Sequence, residues 1–375
     1  MRVHAVCTRR PHFGDHSGIT QFLKHIDPGL CRIELYTASD SDADFPISAP
    51  WARRILRYAV QSRGMEYYKL SDLVAEVIAW RKCRNRGADI LHYIDGEHSA
   101  QYLPSLWSKK ARSGTKVVAT FHQPPARLPK LTSPKAIRGL DHVTVVSPEQ
   151  LPFFQELLGP DRVSLIPHGI DVEHFRPGTL PEDKSTFRCL TVGHWLRDFA
   201  ALRQVAMRLK SRQDVEFHVV ASSRIISRIP EIEGLDNVKL HSNHLGDAAL
   251  LELYQRSQIL FLPLLDATAN NALLEGIACG LPVLSTDLPS VKAYLDCGSA
   301  ILVRGNAPEA FAEAILRLRN EVSLRKEMAR RARVCAEKLD WRRIATQYES
   351  LYARIVDRPG RMAEEKETSG RGFES

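Results

Sequence analysis

The residue types best suited to chemistry lie in one stretch, Asp266-Ala267-Thr268-Ala269-Asn270-Asn271-Ala272-Leu273-Leu274-Glu275, continuing as Gly276-Ile277-Ala278-Cys279-Gly280-Leu281-Pro282. Apolar runs at 259–265 and 282–285 flank it and read as buried parallel strands. The layout is therefore strand, small polar loop, short helix, glycine stop, strand. Asn270 or Asn271 caps the helix start, and Gly280 with Pro282 just beyond ends it. Backbone N–H groups at such a start suit an anionic or hydroxyl-rich ligand. Glu275, about one turn in, is a fixed carboxylate acceptor for two vicinal hydroxyls of a ribose.

Other candidates also sit just past apolar strands, where open α/β sheets place their ligands. His122 follows the strand 116–121. It is either a hydrogen-bond donor to a substrate hydroxyl or a loop histidine held by Pro124 and the backbone. A loop from Arg9 to Gly18 joins the first strand to a helix at 19–25. Its Gly14 and Gly18 match neither the dinucleotide fingerprint nor a phosphate-binding P-loop, so it is a ligand contact or simply a tight turn. Gly193-His194-Trp195-Leu196-Arg197-Asp198 is a similar exit loop in the second half.

The elements that position these loops alternate strand and helix along the chain. In the first half, strands are expected at 2–7, 32–36, 89–94, 116–121, 142–146 and 162–166, with helices at 69–86, 98–113 and 148–158. In the second half, strands are expected at 187–192, 215–221, 238–241, 259–263, 283–286 and 300–303. Helices are expected there from 198 to about 212, at 247–256, 308–320 and 321–338, and finally at 340–356. This is an α/β chain of two Rossmann-like parallel-sheet domains, whose loops at Gly14, His122, Gly193 and Asp266 would line one cleft. The expected division is 1–177, 178–339, a final helix at 340–357, and a charged, disordered tail at 358–375.

At 375 residues, 44% hydrophobic and 26% charged, the chain has the size of two domains and the composition of a soluble globular protein. No run approaches the roughly 18 apolar residues of a membrane span, and no signal peptide is evident. The seven cysteines are scattered and free of CxxC pairs, so reduced core thiols in a cytoplasmic protein are expected. The net charge of +8 suits an anionic partner, yet no nucleic-acid motif accompanies it. Residues 51–63 mix arginines with Trp51, Ile55, Leu56 and Tyr58. The expectation there is a solvated basic helix packing its apolar side on the domain. The alternative is peripheral contact with an anionic membrane at its inner face.

Three segments resemble the family 4 glycosyltransferases. Val163-Ser164-Leu165-Ile166-Pro167-His168-Gly169-Ile170-Asp171, with Phe175 and Pro177, is similar to the family's inter-domain "IPNGVD…F.P" segment. Leu274-Glu275-Gly276-Ile277-Ala278-Cys279-Gly280-Leu281-Pro282-Val283 is similar to "LEAMACGLPV" and is the most specific of the three. The closing Asp340-Trp341 resembles the start of the helix that crosses back to the N-terminal domain in this family. With Thr120-Phe121-His122 and the first glycine loop, the likeness covers nearly the whole chain.

The resemblance implies the GT-B fold and transfer of a sugar from a nucleotide-sugar donor, with retention of configuration and no metal or other cofactor. It makes Glu275 the ribose carboxylate and gives the donor sugar and distal phosphate to backbone amides at Asn270, Asn271 and Ala272, with Leu273 beside them. It sets His122 near the reacting sugar, and Ser17, Gly18 and His194 on the donor. Two departures stand out. The family's first glutamate falls at Ala267, with Asp266 beside it to take over the sugar contact, and its phosphate-clamping arginine and lysine fall at His194 and Phe199. Arg197 in the same loop is the expected replacement cation.

The expected function is a retaining glycosyltransferase acting on a polysaccharide, lipid-linked or small-molecule acceptor. The alternatives are another GT-B nucleotide-sugar enzyme, such as a sugar-phosphate synthase or an epimerase, and a catalytically weakened binding or scaffold subunit.

Overall fold

The computed structural model describes all residues except 10–14, 40, 43–44, 62–65, 108–111, 113, 179–184, 227–231, 233, 243–244, 296–297 and 370–375. The chain divides into two compact units, one of Met1–Arg10, Ile19–Pro167 and Arg342–Ser375, the other of Pro11–Gly18 and His168–Trp341.

The first unit holds six parallel strands, β1 (Arg2–Arg9), β2 (Arg32–Ser39), β3 (Ile90–Tyr93), β4 (Lys116–Phe121), β5 (His142–Val145) and β6 (Val163–Leu165), in the order β2-β1-β3-β4-β5-β6. The second holds β7 (Phe187–Val192), β8 (Val215–Ala221), β9 (Val238–Ser242), β10 (Ile259–Leu262), β11 (Val283–Thr286) and β12 (Ala300–Val303), in the order β12-β11-β10-β7-β8-β9, again all parallel. Each sheet is doubly wound, as the alternating pattern predicts. The strand order reverses between β1 and β3 in one and between β7 and β10 in the other.

Burial explains why the β10 run is apolar throughout. Leu260 and Leu262 join one core cluster and Ile259 and Phe261 the other, one on each face of the sheet. Five described cysteines, Cys7, Cys31, Cys83, Cys189 and Cys279, are free and buried, whereas Cys335 is disulfide-bonded, which corrects the expectation of reduced thiols there.

The boundary between units falls at Pro167/His168 rather than at 177/178. Ile170, Val172 and Phe175 are the reason, because all three are buried in the second unit's core. Arg333 fastens the same segment by donating to the carbonyls of Val172 (3.0 Å) and Phe175 (2.9 Å). Of the helix expected at 98–113, the part up to Trp107 is instead two single turns, Gly96–Ser99 and Leu103–Leu106, and 108–111 and 113 lie outside the described residues. The buried carboxylate of Glu76 accepts from the backbone N–H groups of Gln101 (2.8 Å), Tyr102 (3.2 Å) and Leu103 (2.5 Å), donors that a continuous helix would have used itself.

The final helix runs Trp341–Ser369 and joins the first unit from Arg342 onward. Ile344, Ala345, Tyr348, Leu351 and Tyr352 bury along one stripe. Of the tail expected from 358, the part to Ser369 continues this helix, and 370–375 lie outside the described residues. No helix among the described residues is long and apolar enough to cross a membrane.

Candidate functional site

The second unit gathers its candidates at the switch point, where the exit loops of β7 and β10 lie side by side. Asp198 N–H donates to Pro263 O and Leu265 N–H to Leu196 O, both at 2.9 Å. Asp198 also caps the helix Phe199–Arg208 by accepting from Ala201 N–H (2.9 Å). Asn306 donates to Asp198 Oδ2 (2.8 Å) and Leu264 O (2.9 Å), tying both loops to the end of β12. The loops are thus fixed by backbone pairing as well as by side chains.

The helix after β10 runs Asn271–Ala278, with Asn270 as its cap, accepting from Leu273 N–H at 3.3 Å. It lies against the sheet because residue 276 is glycine: a Cβ there would stand 2.6 Å from Leu260 Cδ2. Arg333 donates to Ala278 O (2.8 Å), placing a cation at the negative end of the helix. Ala272 and Leu273 bury their side chains, so only their backbone can serve a ligand, and the Leu273 N–H is already used by the cap. The amides of Asn271 and Ala272 are the expected donors that this geometry leaves at the helix start.

Glu275 is 4% exposed and central. Ser17 Oγ donates to its Oε1 (2.6 Å) and the Tyr254 hydroxyl to its Oε2 (2.7 Å). Burial raises the carboxyl pKa and the charge of Asp247 adds to this, while Ser17, Tyr254 and Arg197 oppose it. Burial first, and then Glu275, push the Tyr254 phenol well above its ordinary value, so it stays protonated and donating. Each carboxylate oxygen accepts more than one hydrogen bond, so both can take a ligand hydroxyl beside the one they hold.

Ser17 comes from the segment Pro11–Gly18, part of which is described. Gly18 is buried and turns the chain at φ +104°, a conformation that L side chains rarely adopt. Asp15 N–H donates to Asp247 Oδ2 (2.9 Å), and His16 Nδ1 lies 2.7 Å from Asp171 Oδ2. Gly14 lies outside the described residues.

Arg197, the expected phosphate cation, is held within its own loop. Its guanidinium donates to Val192 O (2.8 and 3.1 Å), Trp195 O (3.0 Å) and Asn270 Oδ1 (3.1 Å). Burial pulls it down to about 10, with Tyr254 and Glu275 acting the other way, and it remains a cation at neutral pH. His194 is exposed, its pKa lowered by partial burial and by the charge of Arg197. Asp266 is half-buried and accepts from the N–H of Ala267 (2.8 Å), while Ala267 itself packs into the core. Among the described residues, no group of three or more His, Cys, Asp or Glu is placed to hold a metal ion.

In the first unit, His122 N–H and Gln123 N–H both donate to Glu97 Oε1 (2.5 and 2.6 Å). The His122 ring donates from Nε2 to Ile94 O (2.8 Å), which fixes its tautomer. Burial pushes Glu97 up to about 8, reinforced by Asp95 and opposed by its backbone donors.

Tyr254, Asp171, His16 and Glu97 were not among the sequence-derived candidates. Tyr254 reads as one apolar position of a helix, and the others gain partners only through folding. The Asp95-Gly96-Glu97-His98 loop, at a strand end, was the available signal for Glu97.

Comparison with known proteins gives the family and the fold. Residues 188–321 match the family described as "Glycosyl transferases group 1", and residues 23–174 match "Glycosyltransferase Family 4". The chain is similar to a D-inositol 3-phosphate glycosyltransferase of Arthrobacter sp. (strain FB24), 21% identical over 408 aligned positions that cover 95% of this chain and 94% of that one. It is 25% identical to the Paenarthrobacter aurescens protein of the same name over 203 residues, and spans about half the length of that relative. In fold it is similar to a sucrose-phosphate synthase of Thermosynechococcus elongatus (TM-score 0.67, 16% identity, 95% of this chain and 99% of that one). It is similar also to an Anabaena protein crystallised in complex with UDP (TM-score 0.66, 12% identity, 94% of this chain and 100% of that one).

Proposed function

The chain belongs to the family 4 glycosyltransferases, and we propose that it moves a sugar from a nucleotide-sugar donor to its acceptor with retention of configuration and without a metal ion. The observation that carries this reading is Glu275, a buried carboxylate held from both sides by hydroxyl donors one turn into a helix that starts at the sheet's switch point. A carboxylate so fixed recognises the paired hydroxyls of a ribose. The helix start offers the Asn271 and Ala272 amides to the diphosphate.

As the sugar leaves, negative charge grows on the nucleoside diphosphate, and N–H dipoles already aimed at it lower the barrier without reorganising. The Arg197 charge, bound to Asn270, strengthens the field at this helix start. Asp266, beside the family's glutamate position, is the proposed sugar contact. His122, with its ring fixed by Ile94 O, is the proposed partner of the reacting sugar.

The Anabaena neighbour's UDP makes uridine donors the first to try. The names of the D-inositol 3-phosphate relatives add a phosphorylated polyol to the acceptors worth testing. A thermal-shift screen of UDP-, GDP- and ADP-sugars, followed by donor hydrolysis, tests the reading. One donor should both stabilise the protein and be turned over. If none does either, the donor assignment fails.

A second proposal is peripheral contact with an anionic membrane, and it rests on the helix Pro50–Gln61. Leu56 and Val60 pack inward as expected. Trp51, Ile55 and Tyr58 are 71%, 61% and 79% exposed, interleaved with the exposed Arg54 and Arg57; Arg57 pairs with Asp42, and Arg53 is half-buried, donating to the carbonyls of Ile47 and Phe45. Exposed aromatics and arginines along one helix are the composition of an interfacial segment.

A further inference from the structure

We propose that Glu97 is a positioning residue for the transfer step, acting through His122, whose imidazole its carboxyl holds in one orientation. The inference rests on the reading that puts His122 at the reacting sugar. It starts from a turn that this reading does not use, Ile94 to Ser99 at the end of β3.

His122 makes two bonds to this turn, one from its main chain and one from its ring. Its backbone N–H donates to Glu97 Oε1 (2.5 Å), and its Nε2 donates to Ile94 O (2.8 Å). A side chain tied at both ends to one element has its χ1 and χ2 set together. Gln123 N–H shares the same Oε1 (2.6 Å), so one oxygen holds the peptide on each side of His122. Gln150 Nε2 takes the flanking carbonyls, Phe121 O and Gln123 O, both at 3.0 Å. Donors and acceptors around His122 are thereby held by two buried side chains.

The turn is itself rigid. His98 N–H (3.1 Å), Ser99 N–H (3.0 Å) and Ser99 Oγ (2.9 Å) all donate to Asp95 O. Ile94 N–H donates to Val6 O (2.9 Å), which anchors the turn to β1. Gly96 lets β4 approach, since a Cβ there would stand 2.8 Å from Phe121 Cε1. That approach brings Glu97 to the amides that follow Phe121.

Glu97 is fully buried, and among the described residues its Oε2 has no hydrogen-bond partner. A carboxyl sealed from water is costly to the fold, and its return here is the acceptor that aligns two amides. Burial, with Asp95 adding to it, holds the group at about 8. It is therefore mainly neutral at pH 7, where a glutamine amide copies both its charge and its Oε1.

Histidine-selective isotope labelling reads the ring directly by NMR, with His122→Gln identifying its signal. In the wild type the His122 Nε2 proton should be bound and slow to exchange. Glu97→Ala should release it, and Glu97→Gln should keep it. Turnover gives the second readout, as hydrolysis of UDP-glucose, GDP-mannose and ADP-glucose at pH 7, each tried alone. On the donor that is used, Glu97→Ala should lower kcat about a hundredfold with KM little changed, the effect of a misplacement of about 1 Å. Glu97→Gln should restore most of that loss. His122→Ala should lower kcat by a similar factor, and Glu97→Ala added to it should slow the enzyme by no more than about twofold further.

A Glu97→Ala protein that keeps the bound ring proton overturns the proposal. So does a double variant slowed by both full factors, which would make the effect of Glu97 general to the fold. Wild-type kcat in His122→Ala overturns the His122 reading and, with it, any role of Glu97 in transfer. A slowed His122→Ala beside an unchanged Glu97→Ala overturns Glu97 alone. If none of the three donors is hydrolysed, the donor reading fails and the role of Glu97 in transfer fails with it.

Discussion

Tyr254 donates its phenolic proton to Glu275 Oε2 at 2.7 Å, with both side chains buried. The pair fixes the proposed ribose carboxylate from the side opposite Ser17. Tyr254→Phe removes this donor and leaves a buried oxygen short of a partner, at a cost of about 1–3 kcal/mol. Urea denaturation should show that loss, and titration with the nucleoside diphosphate that stabilises the wild type should show affinity weakened about tenfold. Glu275→Ala should abolish the same binding. Wild-type affinity in Glu275→Ala would remove Glu275 from the site.

Arg197 and Asn270 act as one unit, because the guanidinium ties the β7 loop to the cap of the Asn271–Ala278 helix. Arg197→Lys is not conservative here: one ammonium cannot span the carbonyls of Val192 and Trp195 and the Asn270 side chain together. Arg197→Ala and Asn270→Ala should each slow transfer by about tenfold or more, with a smaller loss of donor binding. The double variant should be little worse than either single one. Additive effects on kcat would show that the two act independently.

His92 links the final helix to the first unit's sheet, with Nδ1 2.6 Å from the Tyr352 hydroxyl and Nε2 2.8 Å from Thr120 Oγ1. Burial lowers its pKa to about 3. The unfolded chain takes up a proton below about pH 6.5 and the folded protein does not, so stability present above that pH is lost as pH falls. Asp72 and Glu76, pushed up by burial to about 7, give the opposite slope, so the comparison must be between wild type and variant. The stability advantage of wild type over His92→Gln should shrink by about 1.5 kcal/mol between pH 6.5 and 5. A constant difference would mean that His92 titrates normally in the fold.

The exposed face of the helix Pro50–Gln61 is tested by vesicle sedimentation. At low salt the protein should pellet with anionic vesicles and not with neutral ones, and replacing Trp51 and Tyr58 by alanine should cut the bound fraction severalfold. Absence of binding to anionic vesicles at low salt removes the membrane proposal.

The order of elements, the parallel sheets and the loop-to-helix layout from Asp266 to Gly280 were all legible in the sequence. They follow from local rules: apolar runs with turn residues between them, an asparagine at a helix start, a glycine and a proline at its end. The position of Glu275 was legible for the same reason, since one motif carries it. Tertiary structure decided which groups surround it. Ser17 and Tyr254 reach Glu275 from 258 and 21 residues away, and no local pattern marks either of them as its donor. Arg197, one charged residue in a loop, had a diphosphate or its own carbonyls as partners. The pairing of the β7 and β10 loops brings its guanidinium onto Val192, Trp195 and Asn270. The break at 101–103 has the same origin, because the Glu76 carboxylate outcompetes a helix that the sequence favours. Local structure is written in neighbouring residues, whereas partners for buried polar groups are chosen by whatever the fold brings within hydrogen-bonding distance.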